Sequence, residues 1–126
     1  MAIMSKPFFI EKTESVLPLL IERAKCEKEA LSISGDAWCF STSSAWRVVS
    51  KAGLCFGWES TGVETEVGSL EGVSIVAVKA VGIGNLDIQF ELENGRYIEC
   101  FTAQHYEPWV LKLPDNTIMV ADGDAV

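Results

Sequence analysis

The sequence predicts an α+β fold, in which one N-terminal helix packs on a mostly antiparallel, meandering β-sheet. Three observations lead there. Apolar residues near the N-terminus recur at roughly helical spacing, those beyond residue 31 recur at a spacing of two, and turn-forming clusters punctuate the chain at short intervals. With 126 residues, 48% of them apolar or aromatic and 22% charged, the chain suits a single domain, 1–126, with material for one core.

The helix is expected over 15–31. Val16, Leu17, Leu20, Ala24 and Leu31 approximate an apolar stripe, with Glu22, Arg23, Lys25, Glu27, Lys28 and Glu29 on the wet face. Pro18 then belongs in the first turn, Ser15 at the N-cap and Glu14 beside the positive helix end.

Strands follow. Ser34-Gly35-Asp36 separates 31–34 from 37–41, and Lys51-Ala52-Gly53 joins 45–50 to 54–58 as a short hairpin. The polar stretch 59–72 reads as a long loop or weak edge strand, and 73–81 as a strand rich in β-branched residues. Gly82-Ile83-Gly84-Asn85 turns the chain into 86–92, where Leu86, Ile88, Phe90 and Leu92 alternate with polar residues. Asn94-Gly95 predicts a two-residue type I′ turn, and 96–102 returns. The strands 109–113 and 117–121, around Pro114-Asp115-Asn116, complete a sheet of about seven or eight strands.

Charge narrows the function classes. The net charge of -8 argues against a nucleic-acid binder, which needs cations to displace phosphate counterions. Residues 1–56 hold seven basic and six acidic side chains, whereas 57–126 hold three basic and twelve acidic. The acidity is therefore regional: such a field either steers a basic partner to one face or serves as a solubility margin. No signal peptide or membrane-spanning stretch is evident, and the four cysteines lack metal or disulfide spacing. The expectation is a reduced, cytosolic chain with no cofactor, metal, nucleic-acid or membrane partner.

Two constellations carry chemistry. A two-residue turn at Asn94-Gly95 would set Phe90 opposite Glu99, placing that carboxylate on the apolar face between Tyr97 and Phe101. Glu99 is then either a site carboxylate, or a bulge shifts the register, or the residue sits at a solvated sheet end. With Cys100 and the sole histidine, His105, it outlines an alternative: a small enzyme or ligand-binding cleft. The second constellation is acidic: Glu64, Glu66, Asp87, Glu91 and Glu93 are the expected contacts to a basic protein partner. A third possibility is a structural or adaptor subunit that self-associates through a sheet edge.

Leu70-Glu71-Gly72-Val73 leads into a strand, followed by Leu86-Asp87-Ile88-Gln89-Phe90, Asn94-Gly95 and Tyr97-Ile98-Glu99-Cys100-Phe101. With Trp46-Arg47-Val48-Val49 ahead of Gly53, this pattern resembles small bacterial immunity proteins found beside polymorphic or contact-dependent toxins. The resemblance implies a non-catalytic, stoichiometric inhibitor, specific for one toxin domain, often a basic nuclease.

Overall fold

Alternation dominates the burial pattern from residue 23 onward, and it builds two sheets rather than one. The computed structural model describes residues 8–81, 87–101 and 109–121. Its elements are α1 (Phe8–Glu14), β1 (Leu19–Leu20), β2 (Arg23–Glu27), β3 (Ala30–Gly35), β4 (Trp38–Thr42), β5 (Trp46–Ser50) and β6 (Gly53–Gly57). A short helix α2 (Val63–Glu66) and a 3-10 turn (Val67–Leu70) precede β7 (Ser74–Val81), β8 (Asp87–Leu92), β9 (Tyr97–Cys100), β10 (Trp109–Lys112) and β11 (Ile118–Ala121). One sheet has the order β1-β7-β8-β9-β5-β6 and the other β11-β10-β4-β3-β2. Every neighbouring pair is antiparallel.

The expected helix over 15–31 is not there. The N-terminal helix is α1, seven residues long, and 15–31 holds a connection, β1, β2 and the start of β3. The reason lies in β2, where Ala24 and Cys26 are buried while Arg23, Lys25 and Glu27 are exposed. That period of two puts Ala24 and Cys26 on the buried face, opposite Ile33 and Leu31 of β3, and the strand pairing also satisfies the backbone of this segment. Among the described residues, α1 contributes Ile10 to the core and sets Phe9 edge-on to Trp109 at 5.3 Å.

The single meandering sheet of about seven or eight strands is likewise replaced, among the described residues, by eleven strands in two layers. An antiparallel sheet with one apolar face must cover it, and one seven-residue helix is too small a lid. The second sheet supplies the cover. Phe40 of β4 meets Phe90 of β8 edge-to-face at 4.9 Å. Trp46 of β5, fully buried, donates its indole N–H to the Glu29 carbonyl at 2.8 Å, tying one sheet to the β2–β3 turn of the other. Three of the four tryptophans (Trp38, Trp46 and Trp109) are buried, while Trp58 packs half-buried against the core.

Several turns fall where expected. Gly35 pairs with Trp38 across Asp36-Ala37, and Ser50 pairs with Gly53 across Lys51-Ala52. The stretch 59–72 instead folds into α2 and the 3-10 turn. The turn at 82–85 lies outside the described residues.

One correction has consequences for the site. Leu92 N–H donates to the Arg96 carbonyl at 2.8 Å and Gly95 N–H to the Leu92 carbonyl at 3.1 Å, so the β8–β9 loop has three residues, not two. Gly95 takes the left-handed conformation (φ 86°) that closes such a loop, and Asn94 Oδ1 accepts from Arg96 N–H at 3.1 Å. Shifting the register by one residue transfers every side chain of β9 to the opposite face relative to the two-residue turn. Gln89, not Phe90, now faces Glu99.

Candidate functional site

The outer face of the six-stranded sheet is built by the residues that β8 and its neighbours turn away from the core. In β8, Ile88, Phe90 and Leu92 are buried, which leaves Asp87, Gln89 and Glu91 half-buried on the other side. The registers β7–β8, β8–β9, β9–β5 and β5–β6 then align Lys79, Gln89, Glu99, Arg47 and Gly57 in one row across five strands. Glu91 leads the adjacent row, with Tyr97, Val49 and Leu54.

Glu99 is thus neither buried among apolar side chains nor alone. Its carboxylate accepts from Arg47 Nε at 2.7 Å and from Gln89 Nε2 at 2.6 Å. Arg47 also lies over the Phe101 ring, 5.1 Å from its centroid. The strand order places Arg47, fifty-two residues away in sequence, beside Glu99. A charge-assisted pair on a half-solvated sheet face needs no catalytic explanation.

Cys100, the next residue, points the other way. It is 1% exposed, its thiol donates to Thr42 Oγ1 at 3.1 Å, and burial pushes its pKa up to about 12. Such a thiol is protonated at neutral pH and is a poor nucleophile. Glu99 and Cys100 therefore do not share a cleft, and His105 lies outside the described residues. Cys26 is also buried, with its pKa raised first by burial and then by the nearby Glu64 carboxylate. Cys39 and Cys55 are exposed, because they fall on an outward position of β4 and on the irregular part of β6.

The five expected contact acids do not form one patch. Asp87 and Glu91 share the outer sheet face. Glu64 and Glu66 are exposed on α2, which packs against β2, β6 and the 3-10 turn. Glu93 sits in the β8–β9 loop, where its Oε2 accepts from Ser74 N–H at 2.7 Å and helps fasten β7. At the rise of an extended strand, Asp87 and Glu93 stand on the order of 20 Å apart.

The other half of this face is apolar and carries no charge signal in the sequence. Tyr97, Phe101 and Val49 are half-buried and Leu54 is 67% exposed. Arg47, Leu54, Gly57, Trp58, Glu59 and Phe101 line a shallow hollow of about 350 Å³ at its β5–β6 end. A larger groove, about 480 Å³, lies on the other sheet, lined by Lys25, Ser32, Ser41, Ser43 and Val110 among others. Among the described residues no three His, Cys, Asp or Glu side chains converge as a metal site, and no helix is long and apolar enough to cross a membrane. Comparisons with protein-family models, curated proteins and solved structures return no match.

Proposed function

We propose that the chain is a non-catalytic binding protein of the immunity type. It acts in the cytosol and neutralises a toxin domain by laying an acidic sheet face over that partner's basic active-site surface. One observation supports this most: Asp87 and Glu91 stand on the outer face of the six-stranded sheet, interleaved with Tyr97, Leu54 and Phe101. Interfaces mix aromatic anchors with a charged surround in this way, and carboxylates there speed encounter with a cationic groove. Arg47 pairs with Glu99; in this reading Asp87 and Glu91 are the contacts on that face, and Glu64, Glu66 and Glu93 act from elsewhere on the surface.

The test is kinetic. A basic protein captured on the immobilised chain at low ionic strength is purified, and its association is followed by stopped flow. Raising salt from about 50 to about 500 mM should slow association strongly with little change in dissociation. D87K/E91K should slow association about tenfold more at low salt, a barrier increase of about 1.4 kcal/mol. An association rate indifferent to both salt and charge reversal overturns the proposal.

A further inference from the structure

Four strands end the two sheets: β1 and β6 in one, β2 and β11 in the other. An edge strand presents unpaired N–H and C=O groups that template pairing with another chain, and natural sheets blunt them. Three of these edges are closed by a side chain. At β1, Trp38 Nε1 donates to the Leu20 carbonyl at 3.1 Å. At β2, Ala24 N–H donates to Glu71 Oε2 at 3.1 Å. At β6, Gly57 N–H donates to Ser60 Oγ at 2.8 Å, and a register shift opposite Val48 and Val49 makes the strand irregular.

Among the described residues, β11 has no such device. Leu113 N–H donates to the Thr117 carbonyl at 2.8 Å, which sets the phase of the β10–β11 ladder. Antiparallel alternation then turns the main-chain groups of Met119 and Ala121 toward β10 and those of Ile118 and Val120 outward. The same two residues expose their side chains, by 63% and 38%. Nothing in Ile118–Ala121 carries a charge.

We propose that β11 is a self-association edge, at which two copies of this chain pair their β11 strands antiparallel about a twofold axis at Met119. Two five-stranded sheets then become one of ten strands. This register sets Ile118 of each copy opposite Val120 of the other, so the outward N–H and C=O groups of both residues are satisfied in both copies. It also stacks two β-branched cross-strand pairs on one face and opposes no like charges, despite the net charge of -8. A four-residue strand buries well under the roughly 1,200 Å² typical of a stable complex, so the dimer is reversible and dissociates on dilution.

Sedimentation equilibrium on the full chain tests this. The weight-average mass should climb from the monomer value toward twice that value as concentration rises to about 1 mM. I118K/V120K places like charges in both cross-strand pairs and should remain monomeric. I118K/V120E places opposite charges in both and should restore association. Both substituted positions are solvent-facing, and circular dichroism confirms that each variant is folded. A wild type that stays monomeric at about 1 mM overturns the proposal. So does a dimer that survives I118K/V120K, or failure of I118K/V120E to re-associate.

Discussion

Gly35 ends β3 at the point where the chain crossing between the sheets is locked by Trp38. A Cβ there would overlap both the Leu20 carbonyl oxygen and Trp38 Nε1, the two ends of one hydrogen bond. Neither can retreat cheaply, because one is backbone and the other belongs to an indole only 4% exposed. G35A should therefore cost about 2–4 kcal/mol, combining overpacking with a broken buried hydrogen bond. Urea denaturation checks it, and a loss under about 0.5 kcal/mol would mean the indole has room to move. The sequence marks Gly35 only as a turn residue, and that is a limit of local reading. Its steric role depends on Leu20, which reaches it through tertiary contact. Glu99 shows the same limit, since its partner Arg47 is near only through the β5–β9 pairing.

At the scale of elements, alternating strands such as β8 were legible because period two persists over six residues. Loop lengths were not. Leu92–Arg96 and Leu113–Thr117 close alike: the fifth residue's carbonyl accepts from the first N–H, and the fourth donates back. In both, the middle residue (Asn94, Asp115) accepts from the fifth N–H and the fourth (Gly95, Asn116) is left-handed. Asn-Gly suits this loop as well as the two-residue turn, so dipeptide identity alone could not fix the register. The type I′ geometry occurs instead at Lys28-Glu29, both left-handed at φ 48° and 71°, where neither residue is favoured. K28N/E29G should stabilise the protein by about 1 kcal/mol by relieving that conformational cost. Trp46 bonds to the Glu29 carbonyl, which the substitution keeps. Thermal denaturation should show the midpoint raised by a few degrees; a lowered midpoint would mean the lysine and glutamate side chains contribute more than their backbones cost.

For the whole molecule, the regional acidity was legible, but its division between two surfaces was not. Charge counting cannot see that Glu93 and Glu71 spend their carboxylates on backbone amides while Asp87 and Glu91 face outward. Nor could the sequence distinguish one curved sheet from two stacked ones, since both read as alternation; the distinction rests on where Trp46, Phe40 and Phe90 meet. That meeting has a thermodynamic consequence. The buried residues of both sheets form one cluster, running from Phe56 and Val48 through Phe90 and Phe40 to Leu111 and Met119. Neither sheet retains an apolar lid if the other opens, so neither should persist alone. Unfolding in urea should be a single transition, with far-ultraviolet dichroism and tryptophan fluorescence superimposable. Fluorescence samples both layers, because Trp46 belongs to the six-stranded sheet while Trp38 and Trp109 belong to the other. W46F removes the indole bond that bridges them and should lower the stability by about 1–3 kcal/mol without splitting the transition. Two resolved transitions, in either protein, would show that the sheets are separate cooperative units and that the shared core couples them weakly.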